Sequence, residues 1–180
     1  MTPACIRFGM FSIGPDDVRG KRVLEVGSYD VNGSLQAYVE SMNPKELIGV
    51  DIKRGPGVTN KLDAKDLVKT YGRESFDLVY STEMFEHVKN WRDVALNMMA
   101  VLKPGGLLVL TTRAPGFPEH CYPEDHWRYT SADLATIFGG GCDILGLVHD
   151  IDDMGTFMRA RRSDGPIQEA PVDFRPHPVQ

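Results

Sequence analysis

Four short stretches of this chain carry residue types that could do chemistry. The first, Glu25-Val26-Gly27-Ser28-Tyr29-Asp30-Val31-Asn32-Gly33, joins an apolar run to an amphipathic one. Glycine lets a ligand approach the backbone, and a following helix start offers free N–H groups to an anion. A tight turn that binds nothing would look the same. Asp51 closes the apolar run 46–52, where an acid can accept from both hydroxyls of a ribose or simply cap a loop. Asp63-Ala64 combines a carboxylate able to hold an adenine amino group with a small neighbour that leaves room for a ring; a plain turn acid competes. Ser81-Thr82-Glu83-Met84-Phe85-Glu86-His87 ends another apolar run, opposite the glycine turn, where the reactive end of a ligand would lie.

Proton acceptors are available in His87 and in the irregular stretch 114–129, which holds His120, His126 and Tyr129. A general base is needed only if the reacting group carries a tightly held proton. Trp127 and Tyr129 offer apolar walls to a substrate. Arg128 would bind an acidic group or tie the loop down by a salt bridge. Glu119, His120, Cys121, Glu124, Asp125 and His126 are all possible metal ligands. The spacing fits neither C-x-x-C nor H-x3-H, and adjacent His120 and Cys121 would chelate awkwardly, so no metal is expected.

The elements that must position these residues alternate. Short apolar runs at 22–26, 46–52, 76–81 and 107–112 read as buried strands, with a brief one near 58–62. Leu35, Tyr38, Val39 and Met42 share one helical face, and Trp91, Val94, Ala95, Met98 and Leu102 share another, ended by Pro104-Gly105-Gly106. Thr130 to Asp133 has capping-box spacing before a further helix. Segments 142–149 and 155–161 read as a closing antiparallel pair. Strands alternating with helices imply right-handed crossovers and a mostly parallel sheet. The fold class is α/β: a doubly wound, three-layer, Rossmann-like fold with a mostly parallel seven-stranded sheet and an antiparallel C-terminal edge pair. Ligands in such sheets bind beyond the carboxyl ends of the strands. Residues 1–162 make one domain, and 163–180, with four prolines and little periodicity, read as an extended tail.

The chain has 180 residues, 42 % of them hydrophobic, and a net charge of -5, which excludes a disordered chain and disfavours a nucleic-acid binder. Three widely spaced cysteines suit a reducing compartment. The first twenty residues lack a signal-peptide core and no stretch is long and apolar enough to span a bilayer, so a cytoplasmic protein without membrane attachment is expected.

Taken together and in order, V-L-E-V-G (23–27), G-V-D-I (49–52), D-A (63–64), F-D-L-V-Y-S-T-E-M-F-E-H-V (76–88), L-K-P-G-G-L-L-V-L-T-T (102–112) and Y-P-E-D-H-W-R-Y-T (122–130) resemble the class I S-adenosylmethionine-dependent methyltransferases, near the small type 11-like members. The resemblance implies S-adenosyl-L-methionine as cofactor. Glu25 and Gly27 would line its methionine part, with Ser28 and Tyr29 standing where the family usually has further glycines. Asp51 and Ile52 would hold the ribose and adenine edge, Asp63 and Ala64 the adenine amino group, and Ser81 with Glu83 the sulfonium region. The family often has a helix between its second and third strands; here only K-R-G-P-G-V-T-N intervenes.

The expected function is methyl transfer to an oxygen or nitrogen of a small-molecule acceptor, with His87, His120 or His126 as candidate bases. A methyltransferase-like module that binds without turnover is the alternative. A nicotinamide-dependent oxidoreductase is disfavoured by the missing G-x-G-x-x-G. A homodimer is compatible with the tail.

Overall fold

The computed structural model describes residues 1–120 and 124–179. Cys121, considered above as a metal ligand, and Tyr122-Pro123 of the last motif lie outside the described residues.

Helices α1 (Pro3–Ser12) and α2 (Pro15–Val18) precede strand β1 (Arg22–Val26). The Thr2 side chain caps α1 and Pro3 fits its first turn, where a missing N–H costs nothing. There follow α3 (Gln36–Glu40), β2 (Glu46–Asp51), β3 (Asn60–Lys61), a 3-10 turn (Ala64–Asp66) running into α4 (Leu67–Tyr71), and β4 (Phe76–Thr82). A second 3-10 turn (Phe85–His87) leads to α5 (Trp91–Val101) and β5 (Leu102–Arg113). The chain ends with β6 (Trp127–Arg128), α6 (Ser131–Phe138), β7 (Cys142–Asp150), β8 (Gly155–Arg162) and β9 (His177–Pro178).

The main sheet has seven strands in the order β3-β2-β1-β4-β5-β8-β7. The first five are parallel; β8 runs antiparallel to both β5 and β7. Strand order reverses between β1 and β4, which makes the carboxyl ends of those two strands the expected ligand crevice. Alternate residues feed two cores. Leu24, Val79, Leu108 and Leu110 pack towards Met98, Met99 and Phe138, whereas Val23, Leu78, Tyr80 and Val109 pack towards Leu35 and Val39. This is the three-layer arrangement the strand pattern predicts.

Three details differ from the expectations above. Pro104-Gly105-Gly106 does not separate α5 from its strand: β5 begins at Leu102, and the glycines form an irregularity between the Phe76–Leu102 and Leu78–Leu107 pairs. The aromatic loop is anchored by β6, which pairs antiparallel with β9 from the tail. The tail itself is strapped down by Arg92, whose guanidinium donates to the carbonyls of Ala170, Pro171, Val172 and Phe174. Thr130 and Asp133 do form the capping box, each side chain accepting from the other's backbone N–H.

Candidate active site

A cavity of about 520 Å³ opens at the carboxyl ends of β1, β2 and β4. Its lining includes Glu25, Gly27, Ser28, Tyr29, Asp51, Ile52, Asp63, Ala64, Glu83, His87 and His120, brought together from separate segments of the chain.

At its inner end Glu25 is buried, and its Oε2 accepts from the Gln36 amide at 2.6 Å. The same Gln36 nitrogen donates to the Gly57 carbonyl at 2.6 Å, so β1 and the start of α3 are tied to the loop after β2. Burial pushes the Glu25 carboxyl up to about 7, against the opposing hydrogen bond from Gln36. Gly27 has φ +80°, and a Cβ there would lie 2.4 Å from Met84 Cβ. Its glycine is therefore demanded by backbone conformation and by the β4 turn packed against it, as well as by any ligand. The positions where the family's glycines are replaced are accommodated from across the crevice. Gly55 leaves the space for the Tyr29 ring: a Cβ on it would meet Tyr29 Cε2 at 2.1 Å.

Asp51 is fixed by backbone donors. Lys53 N–H reaches Oδ1 at 2.8 Å and Tyr29 N–H approaches Oδ2 at 3.4 Å. An ionised carboxylate has lone pairs to spare beyond these. Asp63 caps the following 3-10 turn through Lys65 N–H and pairs with the Lys65 ammonium at 2.9 Å, so the turn-acid role is realised while the residue still borders the cavity. Ile52, Leu62, Ala64 and Val88 supply apolar wall.

At the other end stands Glu83, in the left-handed region with φ +50°, a conformation that costs free energy and is held by its surroundings. Its carboxylate pairs with Arg113 and accepts from Thr2 N–H at 3.1 Å, and the Met1 amino group lies 3.2 Å away. Arg113 in turn lies over the Phe117 ring, 4.0 Å from the centroid. Sequence reasoning missed Arg113. Its signal is present all the same: it ends the strand that runs beside the one leading to Glu83, so an acid and a base meet at adjacent strand ends.

Behind His87 and His120, Glu86 is fully buried and accepts from the Thr112 hydroxyl at 2.8 Å. Burial pushes its carboxyl up. His120 Nδ1 lies 2.8 Å from Asp125 Oδ2. Burial lowers the His120 pKa, a shift that the adjacent Asp125 opposes without reversing. Asp125 would itself be raised by burial, but bonds from Arg128 and the His120 amide outweigh this and hold it at about 2.

Five expected residues are not brought to the cavity lining. Ser81 is fully buried inside β4. His126 is turned to Glu124, 3.0 Å away. Trp127 packs beside the core and donates its indole N–H to the Lys89 carbonyl. Tyr129 is completely buried against Phe85, ring centroids 4.9 Å apart, and cannot wall a substrate. Arg128 takes the loop-tying role: it grips both oxygens of Asp125 at 2.6 Å and donates to the carbonyls of Phe117 and Pro118.

Residues 4–142 match the family profile described as Methyltransferase domain. The chain belongs to the class I S-adenosylmethionine-dependent methyltransferases. No curated protein matches the sequence. Among solved structures it is similar to an S-adenosylmethionine-dependent methyltransferase from Mesorhizobium loti, at 18 % identity, TM-score 0.69, covering 89 % of this chain and 99 % of that one. It is also similar to 1,6-didemethyltoxoflavin-N1-methyltransferase from Burkholderia thailandensis (15 %, TM-score 0.69, 89 % and 79 %) and to the N-methyltransferase NodS from Bradyrhizobium japonicum (18 %, TM-score 0.62, 89 % and 95 %). These likenesses establish the fold. Among the described residues of this methyltransferase no helix is long and apolar enough to cross a membrane.

Proposed function

We propose that this methyltransferase transfers the methyl group of S-adenosylmethionine to an oxygen or nitrogen of a small-molecule acceptor. One observation carries the reading: a single cavity joins a nucleoside-compatible end, with Asp51 and apolar Ile52, to a titratable end, with Glu83, His87 and His120. The donor set suits the cofactor. Glu25 offers a carboxylate to an ammonium group, Asp51 offers one to vicinal hydroxyls, and the volume lies in the range of sites for ligands of that size. When bound, the sulfonium supplies an electrophilic methyl carbon and a neutral thioether leaving group. The chain's own task is then alignment, from which good positioning yields about 7–11 kcal/mol. His87 and His120 border the acceptor end, where an acceptor's proton has to be taken up. A small acceptor agrees with the acidic balance of the chain, and the Burkholderia structure was solved with 1,6-didemethyltoxoflavin and S-adenosylhomocysteine bound.

Calorimetry with S-adenosylmethionine and with NAD tests the cofactor. Saturable heat with the first alone is expected, and saturation with NAD alone would overturn the proposal. Asp51→Ala should weaken cofactor binding by about 1–3 kcal/mol, because a ribose hydroxyl loses its acceptor. Transfer of labelled methyl from the cofactor into a metabolite extract is expected with the wild-type chain; a failure under all conditions favours the silent binding module.

A further inference from the structure

Glu86, His87 and His120 each place a side-chain donor atom so that all three lie within 4.8 Å of one another. Two come from the turn after β4 and the third from the loop after β5, so no local spacing in the sequence unites them. Glu86 is fully buried; its Oε2 accepts from Thr112, while its Oε1 has no hydrogen-bond partner among the described residues. His120 Nε2 is 4.0 Å from that oxygen. A buried carboxylate oxygen left unsatisfied is costly, and native proteins rarely keep one without a use.

Both imidazoles are oriented from behind. His120 Nδ1 faces Asp125 Oδ2 at 2.8 Å, and Arg128 clamps that carboxylate. His87 Nδ1 is bonded to the Glu124 carbonyl. An oxygen acceptor at Nδ1 makes that nitrogen the N–H donor and leaves Nε2 with its lone pair. A carboxylate behind one histidine and a backbone carbonyl behind the other is the outer-shell arrangement that fixes metal-binding imidazoles.

We propose that Glu86, His87 and His120 bind a divalent first-row transition-metal cation at the acceptor end of the cavity. Two imidazole nitrogens and one carboxylate suit such ions better than magnesium or calcium, which favour oxygen donors throughout. Three protein ligands leave coordination positions open, and His87 and His120 line the cavity. A hydroxyl oxygen of an acceptor fits that position. Bound there it would release its proton to water more readily, because the cation stabilises the oxyanion. This last use rests on the methyl-transfer reading; cation binding does not.

The test uses the full chain after chelator treatment, titrated with Co2+ and with Mn2+ in the absence of any acceptor. One equivalent of Co2+ is expected to bind with a visible absorption spectrum, and Mn2+ to compete for it. Glu86→Gln, which keeps the side-chain shape, and His120→Ala should each weaken binding at least tenfold, while His149→Ala on β7 should leave it unchanged. No cobalt spectrum at millimolar Co2+, or equal affinity in Glu86→Gln, His120→Ala and wild type, overturns the site. Calorimetry with S-adenosylmethionine on the same samples separates the two readings. Cofactor heat without metal binding refutes the cation site alone; metal binding without cofactor heat supports the site and refutes the methyl-transfer reading.

Discussion

Glu25 sits under two opposed demands. Its carboxyl is buried beside Gln36 and held at about 7, well above the ordinary 4.5, so the folded chain keeps a proton that the unfolded chain releases. Stability should therefore fall as pH rises from about 4.5 to about 7 and level off above that. Glu25→Gln should remove this slope and raise stability at pH 8 by about 1–3 kcal/mol, read by urea unfolding at pH 5 and pH 8. The same substitution should weaken cofactor binding, since the charge that would face an ammonium group is gone. A variant with the wild-type slope would show that another group carries it. A residue retained at a cost to the empty fold is one whose charge is wanted by something else, and Glu25 was legible in the sequence because it directly precedes the glycine turn. Glu86 was not: its neighbours Thr112 and His120 come from far along the chain, and only the fold brings them to it.

At the scale of elements, the strands were readable because a strand covered on both faces requires a short, nearly continuous apolar run. Helix α1 is not legible in the sequence. Its buried face is made of Cys5, Gly9 and Ser12, and a Cβ on Gly9 would lie 2.2 Å from Leu35 Cδ1. Close helix–helix approach selects small residues, and these carry no apolar periodicity to detect. The aromatics at 127–129 mislead for the opposite reason. Trp127 and Tyr129 look displayed in an irregular loop, yet β6 pairs with a strand some fifty residues later and turns Tyr129 inward. The latch of that loop is Arg128. Arg128→Ala leaves the buried Asp125 carboxylate without its counter-ion and should cost about 3–5 kcal/mol in urea unfolding. Hydrogen exchange at Phe117 and His120 should quicken, as both belong to the segment that Arg128 ties. An unchanged midpoint would mean that the loop is held from elsewhere.

Across the whole molecule, the stretch after Arg162, which reads from the sequence as an extended tail, packs against the rest of the fold. Ala170 enters the main core, and Phe174 meets Trp91 edge-on with centroids 5.7 Å apart. Arg92→Ala removes the donor to four carbonyls of this segment and should cost about 1–3 kcal/mol, with faster limited proteolysis between Ser163 and Pro176 as the local readout. None of the described residues 163–179 lines the cavity, whereas Met1 and His120 do. The sheet itself is lopsided. At one margin β3 is two residues long and leads into Leu62 and Asp63 of the cavity lining; at the other β7 runs for nine residues with Leu145 and Val148 exposed. A strand of that length at a margin still has backbone groups to offer a neighbour, whereas two residues offer almost none. Any second copy that joined by lengthening the sheet would have to do so at β7, leaving the mouth of the cavity clear for traffic of small molecules.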